Sequence, residues 1–142
     1  MRKTIISHSE QETFDFGFFM GQNCKGGEVI ILNGNLGAGK TVFTKGFAKA
    51  LKIEDAITSP TFTIMNIYEG ETLTLYHYDA YRLKSGKEAY EAGLTEYLYD
   101  ECGVCVIEWA ENIKSALIGG EIEITINYLN EKEREIIYEI NE

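Results

Sequence analysis

Long apolar runs are missing from this sequence. None approaches the roughly 18 residues that a membrane-spanning helix needs. At the N terminus, Met1-Arg2-Lys3 is followed only by the apolar pair Ile5-Ile6, which is too short for the apolar region of a signal peptide. These absences predict a cytoplasmic protein with no membrane partner.

Positive charge is also scarce. The chain has 13 Lys and Arg residues against 23 Asp and Glu residues, so its net charge is −10 at pH 7. Such a surface repels the phosphate backbone of nucleic acids on average. The chain alone is therefore a poor candidate for a tight RNA- or DNA-binding protein, although a basic partner could recruit it to one.

Cysteines are few and odd in number. Cys24, Cys102 and Cys105 do not suggest a disulfide framework, and the last two form a single C-x-x-C pattern. A redox pair would stand at the start of a helix, whereas Cys105 begins an apolar strand. A zinc site would need a second pair of ligands. We therefore interpret the cysteines as structural.

Proline is almost absent. Pro60 is the single proline against fourteen glycines, which indicates many tight turns. The remaining composition is typical of a globular protein, with 44% hydrophobic and 25% charged residues. A chain of 142 residues is long enough for a substantial core, so we expect one domain covering residues 1–142.

What the sequence does contain is a stretch typical of phosphate binding. The apolar run Val29–Leu32 predicts a buried strand, and Gly34–Thr41 then fits G-x-x-x-x-G-K-[ST] ahead of a helix-forming segment. Glycines let successive backbone N–H groups point into one concavity, where a helix N terminus adds partial positive charge. Lys40 adds a point charge for the β- and γ-phosphates, and the Thr41 hydroxyl suits Mg²⁺. The stretch predicts a nucleoside triphosphate site.

The order of the other segments predicts the fold class. Apolar strands alternate with helices, which indicates an α/β protein with a P-loop NTPase-like, mostly parallel central sheet flanked by helices. Hairpins over 62–78 and 121–140 should add antiparallel strands. Further strands are expected at 3–6 and 103–107. Helices are expected after a capping box that begins at Ser9, and at 40–52, 87–92 and 95–100.

Two acids stand at predicted strand ends, where ligands of such sheets bind. Glu108 follows a fully apolar strand, the general form of a Walker B element, whereas Asp79 follows an alternating strand. We favour Glu108 as the acid near the metal. Asp79 then either contacts the metal through water or positions the attacking water. The alternative for each is a helix cap or a surface acid.

Three neighbouring features stay open at this level. The hydroxyls of Ser59-Pro60-Thr61 could sense the γ-phosphate or the metal, or could cap a turn stiffened by proline. Trp109, the only tryptophan, could gate the site, dock a partner or belong to the core. His77 lies in an alternating strand, where a structural histidine with satisfied polar atoms is the favoured interpretation.

Some motifs of other nucleotide-binding proteins are missing. The sequence has no N-K-x-D motif, which argues against a Ras-like GTPase. It has only three arginines and no segment for the arginine-bearing lid that small-molecule kinases close over their substrates. These absences favour a slow ATPase that needs a contribution from a partner. A small P-loop kinase acting on a metabolite and a binding module without hydrolysis remain the alternatives.

Four motifs together resemble the TsaE (YjeE) family, the bacterial ATPase of tRNA threonylcarbamoyladenosine biosynthesis. They are Gly34-Asn-Leu-Gly-Ala-Gly-Lys-Thr41, Ser59-Pro-Thr-Phe-Thr63, His77-Tyr-Asp-Ala-Tyr-Arg-Leu83 and Ile107-Glu-Trp109. Their order and spacing also match, so the resemblance covers essentially the whole chain. Any P-loop protein could contain the first motif, whereas the other three in combination are highly specific.

The resemblance implies a function and a set of partners. TsaE binds ATP and Mg²⁺ and joins the TsaB–TsaD pair, which transfers a threonylcarbamoyl group to adenosine 37 of tRNA. Its hydrolysis of ATP is thought to reset that complex. In this chain the tRNA would then be held mainly by the partners, which fits the acidic charge.

The resemblance also assigns site residues. It implies that Thr41 and Glu108 ligate Mg²⁺, that Asp79 and Lys40 act with Glu108 in hydrolysis, and that Trp109 lies beside the nucleotide. More weakly, it places the base near Glu10 and Arg134. The expected nucleotide-binding residues are Asn35, Leu36, Gly37, Ala38, Gly39, Lys40, Thr41, Val42, Trp109, Glu10 and Arg134.

The departures from the family pattern are small. Asn35 stands where Asp is usual, Val42 where Thr is frequent, and Ala110 where Pro is common. Asn35 keeps hydrogen bonding but removes a charge beside the predicted phosphate loop, so nucleotide affinity or turnover could differ. None of the three removes a phosphate or metal ligand.

Overall fold

The computed structural model describes residues 1–35 and 39–141, and within these the chain forms seven strands and three α-helices. The strands are β1 (Arg2–Ser7), β2 (Val29–Asn33), β3 (Met65–Glu69), β4 (Thr74–Asp79), β5 (Gly103–Glu108), β6 (Ile122–Tyr128) and β7 (Arg134–Ile140). The helices are α1 (Glu10–Gln22), α2 (Lys40–Ala50) and α3 (Gly86–Glu91). Two 3₁₀ helices cover Leu94–Tyr97 and Ala110–Ala116. The predicted loop residues Leu36, Gly37 and Ala38 lie outside the described residues.

All seven strands join one sheet in the order β1-β7-β6-β2-β5-β4-β3. The four central strands, from β6 to β4, are parallel, and the outer strands pair antiparallel. The predicted α/β sheet with antiparallel hairpins and flanking helices is confirmed. The sheet is mixed rather than mostly parallel, because strands joined by short turns, such as β3–β4 and β6–β7, can pair only antiparallel.

Helices cover both faces of the sheet, and each face has its own hydrophobic core. On one face α1 and α2 pack over β2 and β5, with Phe43, Phe47 and Leu32 fully buried. On the other face Tyr78, Ile107 and Ile113 are almost fully buried in the second core. Because β2 lies between parallel neighbours and is covered on both sides, its apolar run without alternation is what this position requires.

Most predicted elements occur within one or two residues of their expected bounds. The helix predicted to run to residue 52 ends at Ala50, and the helix predicted over 95–100 is the 3₁₀ helix Leu94–Tyr97. The strand predicted from residue 62 begins only at Met65. The reason is a turn in which the N–H of Ile64 donates to the carbonyl oxygen of Pro60 over 2.7 Å.

All three cysteines are unpaired, which agrees with the prediction that they form no disulfide framework. Cys105 is buried in β5, where its thiol donates to the carbonyl oxygen of Tyr97 over 3.3 Å, whereas Cys102 is exposed. Among the described helices, none combines the length and the apolar character needed to cross a lipid bilayer.

Candidate functional site

The carboxyl ends of β2, β4 and β5 open into a cleft of about 760 Å³. This volume lies in the range of small-molecule sites in proteins, roughly 300–1,000 Å³. The cleft is lined by Ser9, Glu10, Thr13, Gly34, Asn35, Gly39, Lys40, Thr41, Val42, Ser59, Thr61, Asp79, Tyr81, Glu108, Trp109, Glu131, Lys132 and Arg134.

The N terminus of α2 forms the floor of this cleft. Gly39 precedes the helix with φ 108°, a backbone conformation that favours glycine, and it contributes no capping side chain. Lys40, Thr41 and Val42 follow it in the first turn and line the cleft. The first N–H groups of a helix lack intrahelical partners and carry partial positive charge. This end of α2 is therefore suited to an anion.

Two acids stand side by side at the edge of the sheet. Asp79 ends β4 and Glu108 ends β5, and the two residues pair in the parallel register of these strands. Asp79 is buried, and the Glu108 side chain is 16% exposed. Since both strands run in the same direction, both carboxylates reach the edge at which α2 begins.

Glu108 is held by a different residue at each oxygen. Its Oε1 lies 3.2 Å from Nζ of Lys40, and its Oε2 lies 3.0 Å from Nε2 of His77. Burial alone would raise the pKa of Glu108. The hydrogen bond and the electrostatic interaction with His77, together with the interactions with Lys40, outweigh burial, so the pKa of Glu108 is lowered and Glu108 is a carboxylate at neutral pH.

Asp79 is tied to the hydroxyl-bearing loop. Its Oδ1 accepts the N–H of Tyr81 over 3.0 Å, and its Oδ2 accepts the Thr61 hydroxyl over 3.3 Å. The hydroxyls of Ser59 and Thr61 are 2.6 Å apart, and Ser59 Oγ also accepts the N–H of Thr61. The Ser59 side chain thus caps this turn, and Ser59 and Thr61 also line the cleft. A sensing role for their hydroxyls stays a prediction.

An aromatic pair stands at the mouth of the cleft. Trp109 is 42% exposed, so the alternative that places it in the core is wrong. Its ring centroid is 4.9 Å from that of Tyr81 in an edge-to-face arrangement. Trp109 has φ 60°, a strained conformation for an aromatic residue, and it turns the chain directly after Glu108.

Residues from the start of α1 and from the start of β7 also line the cleft. Glu10 begins α1, whose N-cap Ser9 accepts the N–H of Glu12, as the predicted capping box requires. Arg134 begins β7 and stacks over Tyr128, with its guanidinium carbon 4.7 Å from the ring centroid. Arg134 Nη1 also donates to the carbonyl oxygen of Asn130 over 2.6 Å. Arg134 therefore reaches the start of α2, since its Nε would lie 4.0 Å from a Cβ placed on Gly39.

The described site residues that the sequence predicts all line this one cleft. The sequence interpretation missed Tyr81, Thr13, Lys132 and His77. Tyr81 had a usable signal, because it stands two residues after Asp79. Thr13 and Lys132 had none, because neither carries a local pattern that differs from an ordinary surface residue.

The position of His77 in the sequence also carried a usable signal. It stands two residues before Asp79 in β4, so both side chains point to the same face of the sheet. The expectation that its polar atoms are all satisfied is wrong, because the buried Nδ1 has no hydrogen-bond partner among the described residues, while Nε2 contacts Glu108.

The donor set fits a hard cation that is shared with a ligand. The described residues contain no group of three His, Cys, Asp or Glu side chains that could hold a metal ion by itself. The Thr41 hydroxyl and the Glu108 carboxylate supply oxygen donors, and Mg²⁺ is usually held by one or two carboxylates together with phosphate oxygens and water. Thr41 and Glu108 therefore fit Mg²⁺ as part of a metal–nucleotide complex.

Comparisons with known proteins point to one family. A family model described as "Threonylcarbamoyl adenosine biosynthesis protein TsaE" matches residues 7–136. A Treponema pallidum protein named tRNA threonylcarbamoyladenosine biosynthesis protein TsaE is 44% identical over 131 residues, which cover 92% of this chain and 96% of the relative. The protein of the same name from Bacillus subtilis is 46% identical over 114 residues, covering 80% and 70%. The Aquifex aeolicus protein is 40% identical over 136 residues, covering 94% and 93%.

A solved structure shares the fold. The crystal structure of YdiB from Bacillus subtilis superimposes with a TM-score of 0.81 at 36% sequence identity, covering 100% of this chain and 87% of that chain. The match extends over the whole sheet and its helices, so the edge that carries the cleft belongs to a shared architecture.

Proposed function

The chain belongs to the TsaE family of threonylcarbamoyl adenosine biosynthesis proteins, and on that premise we propose that it is an ATPase of this pathway. In this proposal it binds and hydrolyses ATP with Mg²⁺ in the cleft. It acts on the TsaB–TsaD complex, which modifies adenosine 37 of tRNA, and it works in the cytoplasm.

The observation that carries the ATP proposal is the pair between Lys40 and Glu108. A lysine at the N terminus of α2 lies 3.2 Å from an acid at the end of the neighbouring parallel strand. Both side chains are largely shielded from water, with exposures of 14% and 16%. A triphosphate placed at this helix end would meet the lysine as its counter-charge and the acid as a metal ligand.

In this proposal, the residues of the cleft have separate roles in ATP hydrolysis. Lys40 exchanges its contact with Glu108 for the β- and γ-phosphates and neutralises charge there. Thr41 and Glu108 would hold Mg²⁺, which neutralises the charge that develops on the phosphate oxygens. Asp79 lies beside Glu108 with a carboxylate that can orient a water molecule. Trp109 and Tyr81, which pack edge to face and line the cleft, would cover part of the bound nucleotide.

The partner assignment is supported by the negative net charge of the chain and by the lack of a sequence segment for an arginine-bearing lid. A net charge of −10 disfavours direct binding of tRNA. Among the described residues, Arg134 is the one arginine that lines the cleft. A partner such as TsaD, with TsaB beside it, would then complete the site and hold the tRNA.

The first test is nucleoside analysis of tRNA from cells depleted of this protein. We expect threonylcarbamoyladenosine to fall, to recover with the wild-type chain, and to stay low with Glu108→Ala. Lys45→Ala, which changes an exposed lysine of α2 outside the cleft, serves as the matched control and should restore the modification. An unchanged level of the nucleoside in depleted cells would refute the proposed pathway.

The second test measures ATP directly. Lys40→Ala should abolish ATP binding, whereas Glu108→Ala should keep some binding and lose hydrolysis by a factor on the order of 10² or more. Wild-type hydrolysis should be slow alone and rise when TsaB and TsaD are added. Normal turnover in Glu108→Ala would remove this residue from the metal site. Transfer of phosphate to an added metabolite would favour a kinase instead.

A further inference from the structure

We propose that His77 is a positioning residue that fixes the Glu108 carboxylate, so that one oxygen stays available for the metal when Lys40 turns to the nucleotide. The inference rests on the proposed function, because it concerns how the same site prepares for a metal–nucleotide complex. It assigns a role to a buried polar side chain that the mechanism above does not use.

The first step is the position of His77. Its side chain is 3% exposed, and it lies in β4 on the same face as Asp79. In the register of the sheet, His77 stands opposite Val106, two residues before Glu108. Side chains at such a diagonal across two strands can meet on one face. The pairing of β4 with β5 thus places the His77 side chain beside Glu108.

The second step is the direction of the hydrogen bond. An ionised carboxylate can only accept, so Nε2 of His77 carries the hydrogen and donates to Oε2 of Glu108 over 3.0 Å. The buried Nδ1 has no hydrogen-bond partner among the described residues. The contact with Glu108 is therefore the one polar contact of this ring that the described part of the chain shows.

The third step is the division of the two carboxylate oxygens. Lys40 engages Oε1 and His77 engages Oε2. When Lys40 moves to the phosphates, Oε1 loses its partner while Oε2 stays bound to His77. The carboxylate then keeps its orientation and presents Oε1 to the metal. Without His77, both oxygens are free to follow Lys40, and the acid competes with the phosphates for the lysine.

A purely structural histidine would behave differently. It would fill space in the core, and its replacement would lower the stability of the fold and the affinity for nucleotide with and without metal alike. A positioning histidine affects the step that needs the metal and leaves metal-free nucleotide binding in place. These two outcomes distinguish a positioning role of His77 from a purely structural role.

The experiment compares His77→Leu, which keeps similar bulk without a donor, with His77→Gln, whose side-chain amide can still donate. ATP affinity is measured by calorimetry in EDTA and over a Mg²⁺ titration. We expect metal-free affinity within about twofold of wild type in both variants. The Mg²⁺ concentration needed for half of the metal-dependent change should rise roughly tenfold or more in His77→Leu and return to within about threefold of wild type in His77→Gln. If His77→Leu does not fold, the comparison of His77→Gln with wild type carries the test, and a tenfold shift in that variant would overturn the inference.

A second measurement detects the hydrogen bond between His77 and Glu108 in the absence of nucleotide. In ¹⁵N-labelled protein, the Nε2–H proton of His77 should give a slowly exchanging imidazole resonance that disappears in Glu108→Ala. Its persistence in that variant would overturn the inference.

The outcomes also separate the inference from the proposed function. Equal Mg²⁺ dependence in wild type and His77→Leu would overturn the inference alone. ATP binding without hydrolysis in wild type, even with partners, would overturn the ATPase proposal, while the Mg²⁺ titration would still decide the role of His77. No binding of ATP to the wild-type chain would overturn both.

Discussion

At the scale of single residues, burial decides how the thiols behave. Desolvation and the charge of Glu28 raise the pKa of Cys24 from 9.0 to about 12. Burial likewise raises the pKa of the Cys105 thiol to about 12. Cys102 is exposed on the turn ahead of β5. Because the thiolate is the reactive form, the three cysteines should differ in reactivity although two of them form a C-x-x-C pattern.

We predict that one thiol, that of Cys102, reacts quickly with an aromatic disulfide reagent at pH 8, and that the other two react only on unfolding. The folded state holds Cys24 and Cys105 protonated, whereas the unfolded chain ionises them near pH 9.0. Their contribution to stability is therefore complete below pH 9 and is lost between pH 9 and about 12. Thiol counting with Cys102→Ser as the control checks this, since that variant should show no fast phase.

At the scale of elements, the contact between α1 and α2 sets the position of the cleft floor. Gly17 of α1 lies against the backbone of Phe43, and Gly46 of α2 lies against the backbone of Phe14. A Cβ on Gly46 would overlap the carbonyl oxygen of Phe14, which is backbone and cannot rotate away. The glycines thus let two helices approach closely, and the start of α2 takes its place beside β2.

Gly46→Ala should therefore destabilise the protein, although alanine favours helices over glycine by about 1 kcal/mol. The overlap forces α1 and α2 apart, and overpacking of this kind costs about 1–3 kcal/mol. Lys45→Ala, at the neighbouring exposed position of the same helix, should stay within about 0.5 kcal/mol of wild type. Denaturant unfolding of both variants measures the difference. A Gly46→Ala variant as stable as wild type would show that the helices do not need this close approach.

The secondary-structure elements also show which predictions can be made from local sequence patterns. The polar turn before residue 134 predicts a last strand over 134–140, which are the observed bounds of β7, and the apolar run of β2 predicts a buried strand. The strand start at Met65 was missed because the turn after Pro60 depends on a hydrogen bond to Ile64 rather than on composition. Short segments such as Leu94–Tyr97 are decided by packing, so propensity alone assigned them the wrong helix type.

At the scale of the whole molecule, net charge limits what the chain can do alone. The chain carries a net charge of −10. None of the described helices could span a membrane. Affinity for nucleic acid depends strongly on contacts between basic side chains and phosphates. The described cleft places Lys132 and Arg134 near Glu10 and Glu131, so even there the positive charges are balanced.

We predict that the isolated protein does not retain tRNA in a gel-shift assay at about 0.15 M salt, where Debye screening acts over roughly 8 Å. Addition of TsaB and TsaD should bring the protein to the tRNA, because the partners would make the phosphate contacts. The same assay at lower salt is the control for weak nonspecific binding. Retention by this chain alone at micromolar concentration would contradict the division of labour proposed here.

The sequence by itself determined the local chemistry of the site. The run Gly34–Thr41 after an apolar strand, and single acids at the ends of two further strands, follow from patterns within a few residues. Strand periodicity and strand ends are local properties, so the residues that reach one edge of the sheet could be named in advance. The family motifs added Trp109, Glu10 and Arg134.

Only the tertiary structure decided which of these residues meet. The order of β2, β5 and β4 brings Lys40 and His77 to opposite oxygens of Glu108. The turn that precedes β3 brings Thr61 to Asp79. Local periodicity tells which face a side chain occupies but not which strand lies beside it. That neighbour is chosen by packing across the whole sheet, and it places the buried His77 in contact with Glu108.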